Sequence, residues 1–577
     1  MLRKVFVIIP VVASLLLASC QPQVVESERV VVKEVPVEVI KEVVVEKEVR
    51  VEVEKEVEVI KEVKVEVEKI VEVAPEASLS SRTFTVAWTA TDPPSLDPGV
   101  CNDSGCHTLT RAMYDSLLGF KYGTTELEGV LAESWEVSDD GLAYTFVIKD
   151  GVNFSDGSPV TAADVAYSFD RLDGIGKGPS FVISDNYAGS EVVDDKTVTV
   201  NLIKSVGAFP SMLPRVFIVN SKLVQEYVTD DDPWAEEWVY DHDAGSGPFV
   251  IESWEHGAQV ALVKNDNYWV EGWPKIDRFV ELLVPERATD QLLLEGGDVD
   301  TVLNPVLDIL DVYEANPYIT VSEHDSLIGM QIMMSQIVPI MDDVRVRKAI
   351  SLAFDYPPMA SGVYQGHAVQ AQGPLAHSMP YHNDSLPMYQ QDLEQAAELL
   401  AEAGYPGGGG IELDLLIVAG QPYGIGASQI LQQGLAEIGV TLNVQELTWA
   451  TLLGRIQSRE NPAPMFTFYD FPGYPDPDSS LYLKYHTSQQ EIGYNGTFWG
   501  DDETDTLLET ARYSSDQAER EQIYMDFQQR LFDDHVAVWL VNPNWINVRR
   551  TWVTNYEYDP TWNQTFRPDQ DILEGKP

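Results

Sequence analysis

LAESWEVSDDGLAYTFVIKDGVNFSDGSPVTAADVAYSF, residues 131–169, holds the densest run of local folding signals in the chain. Trp135 to Val137 reads as a short strand and Ser138-Asp139-Asp140-Gly141 as a turn. Tyr144, Phe146 and Ile148 then alternate with Ala143, Thr145 and Val147 on a second strand, so the spacing predicts a hairpin. Lys149-Asp150-Gly151 and Ser155-Asp156-Gly157 are further turns. Thr161 stands three residues before Asp164, a helix start that would turn Val165, Phe169 and Leu172 inward. Nothing in this stretch is an obvious catalytic group.

On the C-terminal side the pattern becomes strand, helix, strand. Asp392 to Ala403 places Leu393, Ala396, Ala397, Leu400 and Ala403 on one helical face and stops at Gly404 and Pro406. A strand from Ile411 to Val418 follows, then a helix with Ile430, Leu431, Leu435 and Ile438, then a strand through Val440, Leu442 and Val444. Such a crossover favours parallel strands with helices on the sheet faces. A last helix spans Gln517 to Phe532, before a strand from His535 to Val541. On the N-terminal side, Phe84, Val86 and Trp88 alternate on a first core strand, and Leu109, Ala112, Met113 and Leu117 mark a helix.

With Leu96-Asp97-Pro98, Tyr114-Asp115, Gly245 to Phe249, Asn265 with Tyr268-Trp269, Asp343 to Ala349 and Leu400 to Pro406, residues 131–169 form an ordered series of blocks. That series resembles the family 5 extracellular solute-binding proteins, the dipeptide- and oligopeptide-binding components of bacterial ABC importers, over nearly everything after residue 80. The resemblance implies an α/β, two-lobed periplasmic-binding-protein-like fold with an inserted subdomain in the first lobe. The expected division is a lipoprotein signal peptide at 1–20, a Val/Glu/Lys-rich stalk and linker at 21–82, the first lobe at 83–117, 245–326 and 541–577, the insert at 118–244, and the second lobe at 327–540.

The charge is strongly acidic, with 92 Asp and Glu against 38 Lys and Arg and a net charge of -54. Phosphate recognition needs clustered basic residues, so a nucleic-acid partner is disfavoured. Arg3 and Lys4 precede an apolar run from Val5 to Leu17, shorter than a comfortable membrane span, and Leu17-Ala18-Ser19-Cys20 resembles a bacterial lipobox. A lipid on Cys20 would anchor the chain to the outer face of the cytoplasmic membrane without a spanning helix; the alternative is ordinary secretion. From Val35 to Val73 nearly every valine falls at an odd position, a period of two that disfavours a coiled coil. An isolated, extended and mostly disordered stalk is the preferred reading, with a β-rich bundle of several stalks as the alternative. Export also lets Cys101 and Cys106 form a structural disulfide, although two free thiols fit the sequence as well.

Enzyme signatures are absent: there is no His-Glu-x-x-His, no Gly-x-x-x-x-Gly-Lys-Ser/Thr and no Gly-x-Ser-x-Gly. The nine histidines are scattered and Asp476 and Asp478 lack a full calcium loop, so neither a metal nor a cofactor is expected. The site falls instead on FTFYDFPGYPDPD, residues 466–478, which resembles the family block lining the cleft from the second lobe. In peptide-binding relatives it reads Asp-Tyr-x-Asp-Pro and the first aspartate holds the ligand ammonium. That place is Gly473 here, with Asp470 three residues earlier as a candidate substitute. Candidate ligand-binding residues are Trp88, Asp92, Tyr469, Asp470, Phe471, Tyr474, Asp476, Tyr494, Asn495 and Trp499, the aromatic ones as flat stacking surfaces. The expectation is a monomeric, extracytoplasmic receptor that closes over a peptide and docks on permease subunits driven by their ATPases. An oligosaccharide ligand is the alternative; a secreted hydrolase and a structural surface protein are readings from other classes.

Overall fold

A turn that needs a left-handed residue, between two strands with every second side chain apolar, dictates a hairpin. In the computed structural model of the chain, Ala132–Val137 and Ala143–Ile148 pair antiparallel with Trp135 opposite Phe146. Gly141 takes φ +70°, and a Cβ there would run into the Ser205 side chain. The strands Thr197–Leu202 and Tyr187–Val192 complete a four-stranded antiparallel sheet. Tyr144, Phe146 and Ile148 are buried beneath it with Val198, Val200 and Leu202. The helix Ala162–Ile175 starts as its sequence demands: Asp164 Oδ2 accepts from Thr161 N at 2.8 Å and from Thr161 Oγ1 at 2.6 Å.

The structure describes residues 82–561, except 89–91, 103, 122, 184–185, 285, 304 and 557, together with 572–574 and 576 and the backbone of 24–25, 49–53 and 56–60. Met1–Leu79 forms a unit separate from Ser80–Pro577. Within it, Val49–Val53 pairs antiparallel with Glu56–Ile60, and Val24–Val25 with the first of these strands. Cys20 and the rest of the leader and stalk lie outside the described residues. No helix among the described residues is long and apolar enough to cross a membrane.

Two larger sheets carry the second unit. The first has seven strands in the spatial order Phe249–Glu255, Gln259–Lys264, Arg278–Leu283, Thr83–Trp88, Thr301–Val302, Trp545–Arg550, Ile319–His324. Thr83–Trp88 is central, parallel to both neighbours and buried along its whole length. The second has six, in the order Ala368–Gln370, Ala537–Pro543, Gly329–Met334, Met465–Asp470, Glu412–Val418, Thr441–Leu447. Glu412–Val418 and Thr441–Leu447 are parallel, joined by the helix Pro422–Glu437, so the strand, helix, strand reading is realised.

Among the described residues the chain crosses between these sheets twice, at 324–329 and at 543–545. Ser326 Oγ donates to Pro543 O at 2.5 Å and ties the crossings together. The four-stranded sheet is fixed to the first lobe by a buried pair, Arg171 donating to both carboxylate oxygens of Asp97 at 2.8 and 2.6 Å.

Candidate functional site

The register at the crossings decides which sheet edges face each other. Gly329 lies opposite Asp470 and Met330 opposite Val541, so the C-terminal end of Met465–Asp470 meets the hinge. The loop that follows, Phe471 to Asp476, leaves the second sheet at that edge. It meets the opposite side at Gly473, whose carbonyl accepts a hydrogen bond from Arg215 Nε and where an added Cβ would come within 3.4 Å of the Phe181 ring. Arg215 belongs to the short turn Leu213–Arg215, and its guanidinium also meets His107 Nε2 at 3.3 Å. Burial, with the charge of Arg111 beside it, brings the Arg215 guanidinium down to about 10, which leaves it charged at neutral pH. Burial, then Arg215 and Arg111, hold the His107 imidazole well below its ordinary value and therefore neutral.

Further contacts shut the seam. Gly207 N donates to Arg512 O at 3.0 Å, and Lys204 Nζ lies 4.3 Å from the Tyr513 ring centroid. Tyr474 is buried in the core of the four-stranded sheet although its chain comes from the second lobe. Gln365 of the second lobe donates to Asp308 of the first. Two lobes joined by two crossings and clasped across their facing edges have the geometry of a closed cleft.

The residues singled out by sequence divide by what holds them. Asp470 is taken: Lys484, 1 % exposed, donates to its Oδ2 at 2.5 Å. Asp476 caps the helix Pro477–Tyr485 and receives Arg520 on both oxygens at 2.7 and 2.8 Å. Tyr474 donates to Asp478 at 2.6 Å. Asn495 spends its amide on the carbonyls of His486 and Trp499, at 3.2 and 3.0 Å, and Trp499 donates to Asp534 at 2.9 Å. Asp92 accepts from Trp254 at 3.0 Å and meets His256 at 2.9 Å; against a burial cost, these bonds hold its carboxyl below the usual range. Trp88 is buried in the first-lobe core. Tyr469 meets Tyr364, hydroxyl to hydroxyl, at 3.3 Å and stacks on Phe471. Phe471 and Tyr494 keep 45 % and 37 % of their surface open, which leaves them as the exposed aromatic faces of the set. Cys101 and Cys106 are joined by a disulfide directly before His107.

Sequence reading missed Arg215, His107, Gln365 and Asp308. A lone arginine in Leu-Pro-Arg carries no pattern that separates a clasp from a solvated side chain.

These features define a class, the two-lobed solute receptors that close over a ligand held between their lobes. The model of the bacterial extracellular solute-binding proteins, family 5 (middle region) matches residues 126–491. The chain is 28 % identical over 484 residues to the probable D,D-dipeptide-binding periplasmic protein DdpA of Escherichia coli (strain K12), covering 83 % of this chain and 92 % of that one. It is 31 % identical over 479 residues to heme-binding protein A of Haemophilus influenzae, covering 78 % and 86 %. Among solved structures, the periplasmic binding protein DppA of Helicobacter pylori in complex with the peptide STSA superposes with a TM-score of 0.73 at 26 % identity, covering 85 % of this chain and 98 % of that one. The chain belongs to the family 5 extracellular solute-binding proteins of ABC importers, and its place of action is extracytoplasmic.

Proposed function

We propose that the chain captures short peptides by closure of its two lobes, without turning them over, and delivers them to a membrane permease and its ATPases. In this reading it acts as a monomer held to the outer face of the cytoplasmic membrane by a lipid on Cys20, with lobes divided at the two crossings. The observation that carries it is the clasp across the cleft, Arg215 on the Gly473 carbonyl, Gly207 on Arg512 and Gln365 on Asp308. Contacts available only in the closed form are what a ligand must reinforce to favour that form. Support for peptides comes from relatives described as binding D,D-dipeptides, glutathione, di- and tripeptides, and the peptide STSA. The pairing of Asp470 with Lys484 speaks against Asp470 as the group that receives a ligand ammonium.

The test is to purify the chain under gentle conditions, unfold it, and weigh the released small molecules by mass spectrometry. Peptide masses are expected. A ladder of hexose or pentose masses would overturn the peptide reading and assign the exposed rings of Phe471 and Tyr494 to an oligosaccharide.

A further inference from the structure

Gly207 sits where the insert approaches the second lobe, and its φ lies outside the left-handed region, so glycine is not needed there for its backbone angles. What it supplies is the missing side chain. A Cβ at this position would lie 2.2 Å from the backbone carbonyl oxygen of Ser514 and 2.9 Å from both Cδ and Nε of Arg520, all three atoms in the second lobe. The Gly207 amide meanwhile donates to Arg512 O at 3.0 Å. Non-bonded carbon and oxygen do not pack at such a separation, so a side chain here would push one lobe from the other by about 1 Å.

Both sides of this contact are braced. On the insert, Val206 and Ala208 flank Gly207 and are buried in the core of the four-stranded sheet, together with Phe209, Met212 and Leu213 of the short helical run that ends at Arg215. On the second lobe, Ser514 is the C-cap of the helix Asp502–Tyr513, and Arg520 of the helix Gln517–Asp533 fixes the turn between them. Arg520 is buried, donates from Nε to Ala511 O at 2.9 Å and holds both oxygens of Asp476 at 2.7 and 2.8 Å. One packed piece therefore carries Gly207 and Arg215. The other carries Ser514 and, through Arg520 and Asp476, the loop of Gly473 and Tyr474. Packed interiors transmit a displacement rather than absorb it, and about 1 Å is more than the Arg215 bond to the Gly473 carbonyl can stretch.

We propose that Gly207 is a positioning residue for ligand capture, the stop on which the first lobe seats against the second. Its lack of a side chain lets the lobes come close enough for Arg215 to reach Gly473 and for Tyr474 to enter the insert core. Any side chain at 207 props the lobes apart and lowers the closed population, and with it the affinity for a ligand held between them. The inference rests on the reading of the chain as a receptor that closes, and not on which ligand it takes.

The experiment traps the closed form covalently. In the full chain with Cys20→Ser, the substitutions Lys204→Cys and Tyr513→Cys put one thiol on each side of the seam, where Lys204 Nζ lies 4.3 Å from the Tyr513 ring centroid. A short bifunctional methanethiosulfonate bridges the two thiols when the lobes meet, so the bridging rate, read by mass spectrometry, follows the closed population with or without ligand. Gly207→Ala should slow bridging about tenfold and Gly207→Val more, in line with loss of the Arg215 bond from the closed form. Gly496→Ala, whose Cβ would crowd the Ile456 and Phe466 side chains inside the second lobe, is the comparison: it should lower the unfolding midpoint and leave bridging unchanged. Circular dichroism checks the fold of each variant. Bridging at the parent rate in Gly207→Val would overturn the stop. So would equal slowing by Gly496→Ala, or failure of both Gly207 variants to fold, which would put the clash inside the insert. Absence of bridging in the parent chain would remove the closing receptor itself, and the stop with it.

Discussion

Replacing Arg215 by methionine should open the cleft. The guanidinium is buried and donates from Nε to the Gly473 carbonyl across the seam, while its other end meets His107 at 3.3 Å. A hydrogen bond from a charged donor contributes about 1.5–3 kcal/mol. Methionine keeps most of the apolar stem and leaves the carbonyl without this donor. If the bond exists only in the closed form, the ratio of closed to open molecules should fall by that amount, about 10- to 100-fold at 1.4 kcal/mol per decade. Spin labels on cysteines placed at the exposed positions Lys222 and Glu437, one on each side of the seam, read the lobe separation by double electron–electron resonance. Arg215→Met should move population to longer distances, and Gln365→Ala, which removes the clasp to Asp308, should shift it in the same direction. A distance distribution for Arg215→Met that superposes on the wild type would refute the clasp.

Four other outcomes follow from the same structure. Lys484→Met leaves the Asp470 carboxylate buried without its cation and should cost about 3–5 kcal/mol in chemical denaturation, with much of it recovered in Lys484→Met, Asp470→Leu, where neither charge remains. Stability should fall as the pH drops below about 6.5: burial holds His107 below its ordinary value and His535 down to about 3, so the unfolded chain binds protons that the folded one refuses. Each such histidine contributes about 1.4 kcal/mol per pH unit, and His535→Gln should remove one proton from the slope between about pH 6 and 4. Asp243, pushed up to about 7 by burial, works in the opposite sense, because between about pH 4 and 7 the folded form holds a proton that the unfolded one releases; Asp243→Asn should steepen the acid loss, as read by denaturation at several pH values. The Cys101–Cys106 disulfide closes only a short loop, so reducing it should lower stability by about 2 kcal/mol, measured as the shift in denaturation midpoint with and without reductant.

The hairpin at residues 132–148, the helix start at Thr161 and the parallel strands around the helix Pro422–Glu437 were legible because each rests on residues a few places apart: a turn, a period, a cap. The family was legible for the same reason, since its blocks are local and ordered along the chain. The candidate site was legible only in part. Residues 466–478 do run through the facing edge, as the end of a strand, the loop 471–476 and the start of a helix, yet the sequence does not reveal that Lys484 neutralises Asp470 or that Arg520 occupies Asp476. Those pairings join positions 14 and 44 residues apart. In the same way Asn495 and Trp499 have the composition of a binding face and the surroundings of a core.

Residue order alone therefore determined the elements, their parallel or antiparallel sense near a crossover, and the membership of a receptor family, because short-range sterics and hydrophobic period act within one turn or strand. Tertiary structure decided which charges face one another. Arg215 reaches Gly473 across 258 residues, and Tyr558 comes to the hinge beside His324 from the far end of the chain. Electrostatic and hydrogen-bonding partners are chosen by distance in space, and that distance exists only once the sheets have met at their edges.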